Sequence, residues 1–327
     1  MPTQLREMID LQPEALRTVA GFDVGPQADI LRRARRIFVV GTGTSFHAAE
    51  LGAGLLMRYG IDAWAVPSIE AARWRIPFRD DDAVIVISHT GETAFARATR
   101  HAALEQGWAL VTITGPDAGW PEAIKTPVRE RSETYTVSYT AAVAVLGLLA
   151  HAITDADTGP DTMYEVADHV EAVIADPKLS HIDVPARALA IVGPGAWSIT
   201  AREGALKVRE AALILAEGFD PERLLHGAAV PYGREDTLVV LQPEWDAERL
   251  TSGLLTAAAA EWLTVHPLSD EVLGNSPAQV FAAQIPATVR LQLLAARLSE
   301  LKKTNPDTAI VGAWARPELW SAGAPPE

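Results

Sequence analysis

The chain states one architectural plan twice. "RRIFVVGTGTSFHAAELGAGLLMRYG" (35–60) and "ARALAIVGPGAWSITAREGALKVREAALILAEG" (186–218) each pass from an apolar stretch through a Gly-x-Gly turn into a helical pattern. Each is the strand–turn–helix start of a βα unit. The first continues through "DAVIVISHTGETAFARATRHAALEQG" (82–107) and "WALVTITGP" (108–116), again strand, helix, strand. The second continues with a strand in "DTLVVLQP" (236–243), a helix over 247–262 and a strand in "LTVHP" (263–267). Strands that alternate with helices lie parallel, with helices on both faces of the sheet. The expected fold class is therefore α/β, as two tandem sandwiches with mainly parallel sheets.

The expected organisation is an N-terminal helical segment (1–24), a first sandwich (25–155), a second (163–312) and a tail (313–327). The polar "TDADTGPDT" (154–162) serves as linker, and "ARPELWSAGAPPE" as a loose end. A long helix over 278–303 closes the second sandwich, with Pro286 kinking or splitting it. At 327 residues there is room for both cores.

Composition removes several function classes. A net charge of −14 argues against nucleic acid, whose phosphates need a basic surface. The absence of cysteine excludes disulfides, thiolate metal sites and cysteine nucleophiles. No His-Glu-x-x-His pair and no Gly-x-Ser-x-Gly elbow occurs, so neither a metal nor a serine hydrolase is expected. The N-terminus lacks the apolar core of a signal peptide. The apolar run 140–153 is short for a bilayer and reads as a buried helix, so the expectation is a cytoplasmic protein with no membrane partner.

Two turns carry hydroxyls at strand ends. In "GTGTS" (41–45) the glycines let backbone N–H groups approach a ligand, and Thr44 and Ser45 add donors at a helix N-terminus. A tight turn with a helix cap is the plainer use of the same residues. "SHTGET" (88–93) gathers Ser88, His89, Thr90 and Thr93 around Gly91, and a capping box is its plainer use. Ligands of open α/β sheets bind at the strands' carboxyl edge, where both turns lie, and this favours a phosphate.

"EGALKVRE" (203–210) sets Glu203, Lys207 and Glu210 on one helix face. Such charges are ordinarily solvated pairs. This helix, however, is apolar elsewhere through Leu213, Ile214 and Leu215, and charges on a buried helix need partners or a cleft. His226 follows in the turn "LLHGAAVPYG", and the other histidines lack comparable company, His89 excepted through its motif.

Together these residues resemble the tandem sugar isomerase (SIS) domain family, over about residues 25–312. The likeness is to the isomerase half of glucosamine-6-phosphate synthase and to stand-alone amino-sugar-phosphate deaminases and isomerases. Its most specific segment is "EGALKVREAALILAEGFDPERLLHG", and "GTGTS", "SHTGET" and "SETYTVSYTAAVAVL" (132–146) support it. The resemblance implies a cofactor-free aldose–ketose isomerase or deaminase of a 6-phosphorylated amino sugar. Ser45, Ser88, Thr90 and Thr93 would hold the phosphate, with Thr44 beside them. Glu210 would carry a proton between C1 and C2, Glu203 and Lys207 would orient hydroxyls or the amine, and His226 would assist ring opening from the other subunit of a homodimer. The apolar "AALILAEG" and "QLLAARLSEL" segments offer helical surfaces for that dimer. His89 stands where glutamine is usual, Thr90 replaces serine, and Lys302 and Lys303 are the only lysines near the family's C-terminal one. With no glutamine-hydrolysing segment, a complete synthase is not expected. Fructosamine-6-phosphate deglycation, phosphoglucose-type isomerisation and a non-catalytic sugar-phosphate regulator remain alternatives.

Overall fold

The computed structural model describes residues 2–73, 77–242, 244, 249–269 and 274–325. The first half opens with helices α1 (Gln4–Asp10), α2 (Gln12–Ala20) and α3 (Gly25–Arg32). Then follow β1 (Arg36–Gly41), α4 (Thr44–Arg58), β2 (Ala63–Pro67), α5 (Ser68–Arg73), β3 (Asp82–Ile87), α6 (Ala94–Gln106), β4 (Ala109–Thr114), β5 (Ile124–Lys125) and α7 (Val137–Thr154). The second half comprises α8 (Pro160–Ala175), β6 (Ala188–Val192), α9 (Trp197–Ala212), β7 (Leu215–Phe219), α10 (Pro221–Arg223), β8 (Thr237–Leu241), α11 (Leu250–Ala260), β9 (Thr264–Leu268), α12 (Pro277–Lys302) and α13 (Pro317–Ser321).

All described strand pairs are parallel, in the orders β2-β1-β3-β4-β5 and β7-β6-β8-β9. Both sheets thus reverse direction of travel at their first strand, which creates a crevice at its carboxyl end. The duplication extends to side chains. Arg36 pairs with Asp82 (Nε–Oδ1 2.8 Å) and donates to the Pro77 carbonyl, while Asp82 accepts from the Arg79 N–H. Arg187 pairs with Asp236 (Nε–Oδ1 3.0 Å) and donates to the Pro231 carbonyl, while Asp236 accepts from the Gly233 N–H. The same clamp, on "PFRDDD" and "PYGRED", ties the first and third strands of each half.

Strand alternation builds one inner core and two outer ones. Ile37, Val39, Leu189 and Ile191 face inward to a single cluster shared with α4, α7, α8, α9 and α12. Phe38, Val40, Val84 and Val86 face a separate outer cluster, as do Ala190, Val192, Leu238 and Val240 in the second half. The linker expected at 154–162 contains the short connection between α7, which ends at Thr154, and α8, which begins at Pro160. The tail is not loose throughout: the Arg73 guanidinium donates to the Gly323 carbonyl at 3.1 Å.

Three expectations need correcting. The helix expected through residue 218 ends at Ala212, and Leu215–Phe219 is an edge strand, so "AALILAEG" offers no helical surface. The "QLLAARLSEL" stretch of α12 buries Leu293, Leu294 and Leu298 inside this chain. Of the two outcomes expected at Pro286, splitting does not occur: α12 runs unbroken past it and is buried along most of its length. Residues 243 and 247–248, in the expected strand and helix, lie outside the described residues, as do 326–327 of the tail. Helix α7 is longer than its apolar run and reaches 18 residues, enough by length and composition to cross a membrane, yet 78% of it is buried in the protein.

The paired turns explain their glycines. Gly43 (φ 52°) and Gly195 (φ 56°) adopt the left-handed conformation that side chains resist. A Cβ on Gly41 would stand 2.4 Å from the Ser45 carbonyl oxygen, and one on Gly193 2.6 Å from that of Trp197. Backbone cannot retreat as a side-chain tip can. Gly193→Ala should therefore destabilise the chain by about 1–3 kcal/mol, read as a lowered denaturant midpoint, and an unchanged midpoint would contradict this close approach.

Candidate active site

The two hydroxyl turns flank the crevice of the first sheet, at the ends of adjacent strands β1 and β3. Gly43 and Thr93, the residues that precede α4 and α6, give those helices no side-chain cap. At α4 the N–H groups of Ser45 and Phe46 donate instead to the Thr42 and Gly43 carbonyls, whereas the first turn of α6 keeps N–H groups for other partners. Ser88, 2% exposed, donates from its hydroxyl to Thr93 Oγ1 at 3.3 Å. Thr90 Oγ1 accepts from the Glu92 N–H at 3.1 Å and keeps its O–H proton to give. Ser45 lies half-buried at the start of α4.

Thr44 turns elsewhere. Its hydroxyl donates to Glu203 Oε1 (3.2 Å) and accepts from Lys207 Nζ (2.9 Å). The face expected on α9 is therefore buried against α4, and it forms a connected network rather than a solvated pair. Lys207 Nζ lies 2.5 Å from Glu210 Oε2 and 3.5 Å from Glu203 Oε1. Glu203 is fully buried and Lys207 nearly so, whereas the Glu210 side chain is 23% exposed.

Burial pushes the Glu203 carboxyl upward, but Lys207, His47 and Thr44 outweigh it and hold it below its ordinary value. Burial likewise works against the Lys207 charge, and Glu210 and Glu203 more than restore it. For Glu210 burial wins: its carboxyl is raised despite Lys207. A carboxylate raised in this way and partly exposed suits proton abstraction.

Two participants were missed. His47 Nδ1 lies 2.6 Å from Glu203 Oε2, and it shares a helix face with Thr44 by i,i+3 spacing, which was the available signal. Glu130 is buried and accepts from the Thr136 N–H, the Ser138 N–H and both their hydroxyls. Burial raises it against those bonds. It holds the loop carrying Tyr135, whose ring packs edge-on to His89 at 5.6 Å.

His89 itself turns under the loop. Its Nε2 accepts from the Glu130 N–H at 3.1 Å, and its ring fills the space beside Gly115. It joins the 88–93 hydroxyl turn to the Glu130 loop. His226 is exposed on a turn, its Nδ1 donating to the Glu222 carbonyl at 3.1 Å. Among the described residues it makes no hydrogen bond or ion pair with Glu203, Lys207 or Glu210. Lys302 Nζ donates to the Leu213 carbonyl at 2.6 Å, beyond the end of α9, and Lys303 occupies the left-handed C-cap of α12. Among the described residues no cluster of three or more His, Asp or Glu could hold a metal.

These features define a class: a tandem parallel α/β protein in which a hydroxyl-lined crevice adjoins a buried Glu–Lys–Glu helix face. Residues 30–152 match the SIS domain model. It is 29% identical to the isomerizing glutamine–fructose-6-phosphate aminotransferase of Pyrococcus horikoshii, over 93% of this chain and 55% of that protein. The corresponding enzyme of Chlorobaculum tepidum is 28% identical over 85% of this chain and 50% of its own. The chain thus spans about half the length of these relatives. Its fold matches glucosamine-6-phosphate deaminase of Thermotoga maritima (TM-score 0.77, 19% identity, 93% and 97% covered). It also matches tagatose-6-phosphate ketose/aldose isomerase of Escherichia coli (TM-score 0.80, 19% identity, 96% and 98% covered).

Burial lowers the His89 imidazole from 6.5 to about 4. As pH falls from 6.5 towards 4, the unfolded chain binds a proton that the folded chain refuses, so stability declines across that window. His89→Gln keeps an acceptor for the Glu130 N–H without titrating. Its stability should be flatter over that range by about 2–3 kcal/mol, measured by urea unfolding at several pH values. A slope equal to that of the parent chain would remove His89 from this role.

Proposed function

We propose that the chain catalyses proton transfer between C1 and C2 of a 6-phosphorylated sugar, as an aldose–ketose isomerase or amino-sugar-phosphate deaminase. The observation that carries this reading is Glu210: a raised carboxylate, partly open, held by a buried lysine beside two hydroxyl turns. The sugar-phosphate substrates of the similar proteins support the substrate class. A regulator would need only the turns, and the Glu203–Lys207–Glu210 face would then have no use.

In this reading Ser45, Ser88, Thr90 and Thr93, with the uncapped N-terminus of α6, receive the phosphate. Glu210 removes the C2 proton and returns it to C1. Lys207 stabilises the oxygen or nitrogen on which charge develops, and Glu203 and Thr44 hold Lys207. With an amino sugar, the enolamine reprotonated at C1 is a ketose imine, and water releases ammonia from it. His226 serves ring opening in the site of a second copy. Its exposure beside Leu225 and Val230, 40% and 85% exposed, supports a surface that a partner covers.

Glu210→Gln should lower kcat on the accepted hexose or hexosamine 6-phosphate at least about a hundredfold. The affinity for that ligand, read by calorimetry, should change little, because the base acts in the transition state. Near-normal turnover would remove Glu210 as the base. Equal affinity for the phosphorylated sugar and its unphosphorylated parent would remove the phosphate turns.

Mixing inactive Glu210→Gln and His226→Ala chains tests the shared site. A hybrid dimer then has one site with both lesions and one with neither, so activity should return. No recovery, with subunit exchange confirmed by mass spectrometry, would return His226 to its own chain.

A further inference from the structure

Lys207 is held unequally by its two carboxylates. Glu203 is the more deeply buried of the pair, and a fully buried carboxylate has the greater need of a counter-ion. Yet the ammonium stands 2.5 Å from Glu210 and 3.5 Å from Glu203. Glu203 can yield the lysine because both its oxygens are otherwise engaged, Oε1 by the Thr44 hydroxyl and Oε2 by His47 Nδ1 at 2.6 Å. Glu203 is ionised, so Nδ1 carries the proton in that bond. His47 comes from α4, in the opposite half of the chain from α9, and its side chain is only 13% exposed.

We propose that His47 is a positioning residue: by occupying Oε2 of Glu203 it keeps Lys207 on Glu210 and so sets the basicity of the proton carrier. This rests on Glu210 being the base. The groups bearing on Glu210 are Lys207, Glu203 and Arg209 from α9, and Tyr135 from the loop before α7. Glu130, from the same loop, acts on Lys207. Glu203 is faced in turn by Thr44 and His47 from α4 and by Tyr139 from α7.

Two substitutions carry opposite signs. In His47→Leu, Glu203 loses a donor and draws Lys207 towards itself, so Glu210 should titrate higher. In Glu203→Gln the competitor and its like charge vanish together, so Glu210 should titrate lower. A general loosening of the fold does not produce both signs.

Carbon-13 NMR of glutamate-labelled protein reads this without substrate, the Glu210 signal being identified by its loss in Glu210→Gln. The midpoint should move by at least about half a pH unit in each direction. His47→Gln, which retains an amide donor for Glu203, should stay near the parent. In the kinetic arm, the acid limb of kcat for His47→Leu should move up in parallel, with KM for the sugar phosphate within about twofold because the phosphate turns are untouched. An unchanged midpoint in His47→Leu, or a shift of one sign in both variants, overturns the proposal. If the leucine chain does not fold, Glu203→Gln decides, since an unchanged or raised midpoint there overturns it equally. Titrations of the expected signs in a protein that turns over no hexose 6-phosphate would refute the proposed reaction and leave the positioning role standing.

Discussion

The ammonium of Lys207 is the point on which the two halves agree. It hydrogen-bonds Thr44 from α4 and Glu210 from its own helix, and it faces Glu203 one turn back. Removing these charges from water is expensive, and apolar side chains of like volume would in general pack there at no loss of stability. The surrounding core could supply them: α4 and α9 meet within a cluster built from leucine, alanine, valine and isoleucine. The network is therefore poorly explained as a folding device. It is better explained by fixing one carboxylate in a raised, half-open state at the crevice.

The duplication then reads as a division of labour. Counted from the strand-end glycine, the residue at the fourth place is Ser45 in the first half and Trp197 in the second. Trp197 is 1% exposed and seals its turn, whereas Ser45 leaves the first turn open. At the tenth, fourteenth and seventeenth places the first half has Leu51, Leu55 and Arg58, and the second has Glu203, Lys207 and Glu210. Directly after the third strand, Ser88 corresponds to Gln242, which is 1% exposed. The backbone device is kept in both halves, while the open hydroxyl turns lie in the first and the Glu203–Lys207–Glu210 face in the second. One chain thus assembles one candidate site from two copies of a fold.

What could be read from the sequence was what repeats locally. Strand runs, glycine turns and the i, i+4, i+7 charges declare themselves within a few residues. The edge strands β2 and β7 did not, because half-exposed "AWAVP" and "LAEGF" lack the continuous apolar run of central strands. His47, Glu130 and the paired arginine clamps were hidden for another reason: their partners are distant in sequence or, for Glu130, six to eight residues ahead, beyond the usual cap spacing. The end of α9 had no signal either. Leu213 takes the left-handed conformation that usually calls for glycine. It is held there from outside, with Lys302 Nζ on its carbonyl and the Thr304 hydroxyl on that of Ala211.

That enforced ending bears on the chemistry. Glu210 lies in the last turn of α9, at the negative end of the helix dipole, which disfavours a second negative charge. Burial acts in the same direction, and Lys207 acts against both. Had the helix run on into "LILAEG", Glu210 would sit mid-helix, away from the dipole's negative end and with more of its own helix closing over it. Stopping at Ala212 instead sends the chain back along β7 to the sheet and leaves the carboxylate at a boundary between core and crevice. The contacts of Lys302 and Thr304 therefore link the C-terminal end of the core to Glu210, through the place where a helix is made to stop.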